Sequence, residues 1–271
     1  MLLLTPHRRP TAMNESLHDQ ALKLKASLPT IRAHGRKPEQ PRPFSLQTGF
    51  TMHAEGSVLV SSGNTKVICT ASLEERVPAW RRGSGQGWIT AEYGMLPRAT
   101  ATRATREATA GKASGRSLEI QRLIGRSLRS AVDLTLLGER TVWVDCDVIQ
   151  ADGGTRTASI AGGFVALVMA LRKVHEQQPF ARPPVTRTLS SVSVGWLDGQ
   201  ALLDLDYEED ARADVDLNVV MTDSLDVIEV QGTAEGDPFP RRALEAMLDC
   251  AEIGIRQRIA AQKAALGDRL V

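Results

Sequence analysis

The sequence predicts an α+β protein in which two strand-then-helix halves form β-sheets packed with helices. Three observations carry this. Thr141–Ile149 alternates like a half-buried strand, with Val142, Val144, Cys146 and Val148 on one face and Trp143, Asp145, Asp147 and Ile149 on the other. From Thr155 the period turns helical, with Ile160, Phe164, Leu167, Val168 and Leu171 recurring until about Gln178, ahead of Pro179. The order of strands followed by helix occurs twice, over 44–138 and over 141–266.

In chain order, residues 1–30 lack a sustained period. Ser16–Leu28 has only a thin apolar stripe, so this stretch reads as a poorly ordered extension, with Met13 an alternative start. Ile31–Pro43 carries Arg32, Arg36 and Arg42 among Pro38, Pro41 and Pro43, a density of proline that predicts an extended tether. Phe44–Gly49 and Gly56–Val60 read as strands, and Ser61-Ser-Gly-Asn64 turns the chain into Thr65–Thr70. Arg76–Arg106 reads as a long arginine-bearing loop. Gly111–Arg116 then leads into a helix with Leu118, Ile120, Leu123, Ile124, Leu128, Ala131 and Val132 buried and Gly138 at its end. In the second half, Leu189–Trp196 and Ala201–Tyr207 make a hairpin across Asp198-Gly199, and Leu217–Met221 pairs with Val227–Val230. Arg241–Ala265 is a long amphipathic helix, and 267–271 form a tail.

The 271 residues are near the upper size of one hydrophobic core, so a single domain and two fused halves both fit. A composition 42% hydrophobic and 24% charged is that of a globular protein. No apolar run reads as long enough to span a bilayer, and Met1-Leu-Leu-Leu4 is too short for a signal-peptide apolar region. A net charge of +1 excludes a protein coated in positive charge, so any nucleic-acid contact must come from local clusters. Cys69, Cys146 and Cys250 form no C-x-x-C pair and are odd in number, which predicts reduced core thiols in a cytoplasmic protein. The five histidines have no metal spacing, and His53 reads as structural.

The chemistry gathers at Asp145–Ser159. Asp152-Gly153-Gly154 breaks the strand and Thr155-Arg156 opens the helix, so free N–H groups and the positive helix end suit an anion there. Thr155 adds a hydroxyl, and Arg156 a planar fork of donors matched to phosphate oxygens. A plain tight turn followed by an N-cap fits the same residues, and both readings stand at this point. Arg116 occupies a second glycine-plus-arginine junction, aimed at the same anion or paired with Glu119 in the first turn. Arg98, Arg103 and Arg106 lie in a polar stretch without an apolar face, which is either a solvated loop or one that tracks a phosphate backbone. Asp204, Asp206, Glu208, Glu209, Asp210, Asp214 and Asp216 crowd thirteen positions. They form a solvated rim, or Asp210 and Asp216 face one pocket and hold a cation such as Mg²⁺.

The segments His53–Val60, Gly85–Arg98, Asp145–Ser159, Val219-Val-Met-Thr222 and Val230–Gly236 resemble the bacterial ribonuclease PH family, and the resemblance runs over roughly Arg32–Leu266. It implies a ribonuclease PH-type fold, read as a single domain over 31–266. The implied activity is that of a phosphorolytic 3′→5′ exoribonuclease, or tRNA nucleotidyltransferase. Inorganic phosphate is the co-substrate, the 3′ ends of tRNA precursors and other RNAs are trimmed, and nucleoside diphosphates leave. The implied assembly is a homo-hexamer, a trimer of dimers. By the resemblance, Arg116, Gly154, Thr155 and Arg156 bind phosphate. Asp210 and Asp216 are the catalytic carboxylates that hold Mg²⁺, and Arg98, Arg103 and Arg106 hold RNA. His34 stands where the family usually has Asp, and residues 1–30 have no counterpart. A rival reading is a non-catalytic RNA-binding ring subunit of the same fold, although the arginines and aspartates such a subunit would lose are present. A small-molecule phosphotransferase would want a G-x-x-x-x-G-K-[ST] loop, which the sequence lacks.

Overall fold

The computed structural model describes residue 32 and residues 35–267, so the 1–30 extension with its Ser16–Leu28 helix, His34 and residues 268–271 lie outside the described residues. Strands β1 (Phe44–Thr48), β2 (Gly56–Ser62), β3 (Thr65–Glu74), β4 (Trp88–Met95) and β5 (Thr141–Gln150) form one sheet in the order β1-β2-β3-β5-β4. Neighbours are antiparallel except β4 and β5, which are parallel. A parallel pair needs a crossover, supplied by the stretch holding α1 (Glu107–Ala110) and α2 (Gly115–Arg129). Helix α3 (Thr155–Gln177) follows β5 directly. The second sheet, antiparallel throughout, contains β6 (Leu189–Leu197), β7 (Gln200–Leu203), β8 (Val215–Thr222) and β9 (Val227–Ala234) in the order β7-β6-β8-β9. The short α4 (Tyr207–Asp210) precedes β8, and α5 (Arg241–Leu266) closes the fold.

The alternation in β5 is realised: Val142, Val144, Cys146 and Val148 are buried, while Trp143 and Asp147 are exposed. Helix α3 is buried almost all round because it packs on β2 and β3 and also on β6. Its length and hydropathy would qualify it as a bilayer span, contrary to the sequence reading, but 83% of that window is buried inside the protein, so its apolar surface is core surface. At Gly162 an added Cβ would lie 2.1 Å from Val60 Cγ2, so close approach of α3 to β2 offsets the usual cost of glycine within a helix. The first sheet, α2 and α3 share one core; the second sheet and α5 share another.

Five local expectations are corrected. Arg76–Arg106 is not one loop, because β4 runs through it with Ile89, Ala91 and Tyr93 buried; its alternation is masked by arginines on both sides. The helix after Arg116 ends at Arg129, well before Gly138, because Asp133 caps the backbone N–H of Thr135 and starts a separate 3₁₀ turn at Leu134–Leu136. Leu118 on that helix is exposed. The strand predicted over Ala201–Tyr207 stops at Leu203, where Asp204 takes a left-handed backbone (φ 55°) and Asp206 caps α4. The Arg- and Pro-rich stretch makes no strand, yet it is no solvent tether: Arg32, Arg36 and Arg42 are all buried.

Candidate active site

The junction between β5 and α3 is built by two glycines in left-handed geometry, Gly153 (φ 74°) and Gly154 (φ 66°), the latter the N-cap of α3 without any side-chain cap. A Cβ on Gly153 would lie 2.5 Å from the Leu205 carbonyl oxygen, so a loop of the second half rests directly on this turn. The first N–H groups of α3 have no intrahelical acceptor and no side-chain cap, the arrangement that suits an anion. Thr155 is buried, and its Oγ1 lies 2.9 Å from the Tyr93 hydroxyl. Burial raises the Tyr93 phenol above its ordinary value, so it stays protonated. Arg156 reaches Glu119 at 3.4 Å and Gln231 at 3.3 Å. Glu119 thus partners Arg156, not Arg116 as one sequence reading had it.

Arg116, Gly154, Thr155, Arg156, Asp210 and Asp216 all line one cavity of about 380 Å³, joined by Tyr207, Ser193 and Asn218. The two glycine-plus-arginine junctions therefore face a common space, and the acidic run sends two carboxylates into it. Burial, and then the nearby Asp210, push the Asp216 carboxyl up to about 6, against the pull of Arg156, the Asn218 amide and Arg116. Asp210 is raised by burial, with Arg116 and Arg156 opposing. Two carboxylates that repel each other in a half-buried cavity form an oxygen donor set suited to Mg²⁺, which commonly takes one or two carboxylates and completes its shell with water and substrate phosphate. Among the described residues no group of three or more His, Cys, Asp or Glu is placed to hold a metal. A larger hollow of about 710 Å³ lies between the 37–44 segment and α5, with Glu39 its single carboxylate, and lacks this convergence.

A buried ion-pair network holds the cavity wall in place. Glu209 accepts from Arg32 Nε at 2.9 Å and from an Arg36 terminal nitrogen at 2.8 Å, and with Asp206 it forms a capping box on α4, whose last residue is Asp210. Asp204, fully buried, accepts from the Arg42 backbone N–H at 2.9 Å, the Arg42 guanidinium at 2.8 Å and Arg258 at 3.0 Å. Arg42 also donates to the carbonyls of Asp152 and Gly153. The Asp152–Gly153 turn and the loop holding Asp204 are therefore clipped together by one guanidinium. Three of the seven acidic residues are structural: Asp204, Asp206 and Glu209 are buried and paired, which overturns the solvated-rim reading for these three.

Arg98, Arg103 and Arg106 are exposed on the loop that leaves β4, and none of the three lines the cavity, although Met95 and Thr100 of the same stretch do. Cys69, Cys146 and Cys250 are free and buried. Sequence reasoning missed Tyr93, Ser193, Asn218 and the Arg42–Asp204–Arg258 cluster. For α4 a signal existed in the Asp206-x-x-Glu209 spacing of a capping box; the partners of Asp204 lie 162 and 54 residues away and leave no local trace.

The architecture and the cavity define a class: a two-sheet α+β protein that presents a helix start, two arginines and two carboxylates to a phosphate-sized space. Family comparison is consistent with it. Residues 40–173 match domain 1 and residues 188–254 match domain 2 of the 3′ exoribonuclease family, together roughly three quarters of the chain. The chain belongs to this family, that of ribonuclease PH. Among solved structures, rice (Oryza sativa) Rrp46 is 19% identical with a TM-score of 0.70, the match covering 87% of this chain and 100% of that one. An archaeal exosome core is 23% identical with a TM-score of 0.70, covering 90% and 95%. An Archaeoglobus fulgidus exosome with RNA bound to the active site is 23% identical with a TM-score of 0.71, covering 88% and 94%. At these identities the likeness concerns the fold.

Proposed function

We propose that this chain is a phosphorolytic 3′→5′ exoribonuclease that trims the 3′ ends of tRNA precursors, using inorganic phosphate and releasing nucleoside diphosphates. The observation that carries this reading is the convergence of Arg116, the Gly154–Arg156 helix start, Asp210 and Asp216 on one cavity. An anionic nucleophile must approach an anionic phosphodiester, so both need positive neighbours. The α3 N–H groups, Arg116 and Arg156 hold HPO₄²⁻ in line with the terminal internucleotide phosphorus. A phosphate oxygen bonds to that phosphorus, the bond to the 3′ oxygen of the penultimate nucleotide breaks, and that oxygen leaves with the electron pair. The proton carried by HPO₄²⁻ ends on the new 3′-hydroxyl, so charge and atoms balance without a separate base. Asp210 and Asp216 would hold a Mg²⁺ that supplies positive charge to the phosphate oxygens in the transition state.

Arg98, Arg103 and Arg106, exposed on one loop, would contact the RNA backbone away from the reacting bond. A hexamer, a trimer of dimers, would gather several such loops around one substrate; light scattering gives its size. The decisive assay is a short 3′-labelled RNA with Mg²⁺, with and without phosphate. Nucleoside diphosphates formed only with phosphate support the reading. Monophosphates formed without phosphate would mean hydrolysis, and RNA binding with no product would mean a non-catalytic subunit.

A further inference from the structure

Strand β6 runs Ser191-Val192-Ser193-Val194, with Val192 and Val194 in the core shared with α5 and the serines turned the other way. Ser191 Oγ donates to the Val219 carbonyl at 2.8 Å. Ser193 is only 3% exposed, and its carbonyl accepts from the Asp204 N–H at 2.8 Å, but its Oγ has no hydrogen-bond partner. Ser193 is one of the residues that line the cavity, and its hydroxyl lies 3.6 Å from where a Cβ on Gly154 would stand, beside the first turn of α3. Buried hydroxyls are normally paired, so an orphan calls for a partner the protein does not supply. Thr188 and Ser190 also carry unpaired buried hydroxyls, but neither lines this cavity, so the case is particular to Ser193.

We propose that Ser193 Oγ is a direct ligand of the attacking phosphate, donating its hydrogen to a phosphate oxygen. The second half thus adds a donor to those that the first half provides. The proposal rests on the phosphorolytic reading above. It explains why a polar residue is kept at a buried strand position where valine or alanine would pack without an unmet donor.

The test is calorimetric titration of wild type, Ser193→Ala and Ser193→Cys with inorganic phosphate, alongside melting in phosphate-free buffer. Losing a hydrogen bond to a charged group should raise the phosphate Kd about tenfold or more in Ser193→Ala. The thiol, a weaker donor, should fall between. Melting of phosphate-free Ser193→Ala should stay level or rise, since the variant removes an unpaired buried hydroxyl, the opposite of what a structural hydroxyl would give. Wild-type and Ser193→Ala proteins that bind phosphate equally would overturn the proposal and leave phosphorolysis standing. A wild type that neither binds phosphate nor needs it to degrade RNA would sink both.

Discussion

Asp204→Asn is the substitution that most directly probes how the two halves are joined. Asn keeps the shape and tolerates the left-handed backbone at φ 55°, so the change isolates the charge. In the folded protein Arg258 and Arg42 overcome the burial penalty and bring the Asp204 carboxyl from 3.8 down to about 2. That difference alone corresponds to roughly 2 kcal/mol. Removing the carboxylate also leaves Arg42 and Arg258 in the interior without their anion, and breaking a buried pair in this way typically costs about 3–5 kcal/mol. The expected loss is therefore about 3–5 kcal/mol at pH 7, a fall of roughly 10 °C in Tm for a chain of this size. Because the folded pKa is depressed, the contribution of Asp204 is fully present above about pH 4 and is lost as the pH falls toward 2. Urea unfolding at pH 7, with melting from pH 7 down to pH 3, measures both. A loss under about 1 kcal/mol at pH 7 would refute the argument that this carboxylate neutralises the buried arginines. Since Arg42 also holds the Asp152 and Gly153 carbonyls, the surviving folded variant should show a higher KM for phosphate than for RNA relative to wild type.

Two further outcomes follow from the cavity. Asp216→Asn should fold normally and bind RNA while Mg²⁺-dependent turnover falls about 10²-fold or more, read from initial rates; full activity would return Asp216 to a structural role. The raised Asp216 carboxyl means that its contribution to metal-free stability is present below about pH 4 and lost as the pH rises through about 6, so Asp216→Asn should flatten that part of a melting profile. Arg156→Lys keeps the charge but loses the fork, and should raise the half-saturating phosphate concentration; Arg156→Ala should do so further, by on the order of 2–4 kcal/mol, with RNA affinity near wild type. A loss confined to RNA binding would move Arg156 out of the nucleophile site.

What was legible in the sequence was whatever has a short period or a local motif. Thr141–Gln150 announced itself because it buries a regular face, and α3 because its large apolar residues recur at helical spacing over a length no strand reaches. The Gly153-Gly154-Thr155-Arg156 junction was visible because a strand period gives way to a helix period across two glycines. The acidic run was legible as a cluster but not in its division of labour. Nothing within thirteen positions says that Asp204 and Glu209 turn inward to arginines while Asp210 and Asp216 turn into the cavity. That division is set by Arg32, Arg36, Arg42 and Arg258, which the sequence scatters over more than 200 positions. Proline density suggested a tether at 31–43 because it reports backbone stiffness, and says nothing of where long side chains bury their heads.

On the proposed function, the division of charge between the halves also accounts for how the cavity would stay ready for an anion. The first half brings the cations, and the second brings Asp210 and Asp216. Simple mutual neutralisation would leave no field for substrate. The structure avoids this by giving the strong pairings to other groups. Asp204, Asp206 and Glu209 take the buried arginines, while Arg156 is engaged by Glu119 at 3.4 Å, with the Glu119 side chain 49% exposed. A 3.4 Å contact whose carboxylate is half open to solvent is a weak pair, so on the proposed function an incoming phosphate would displace Glu119 at small cost. Asp210 for its part raises the affinity of Asp216 for a proton, while Arg42 and Arg258 give their hydrogen bonds to Asp204 and not to the two cavity carboxylates. The buried network and the open cavity are thus two uses of the same residue types: the pairs that are hidden fix the distance between the halves, and the pairs left half-exposed keep their charge for what binds between them.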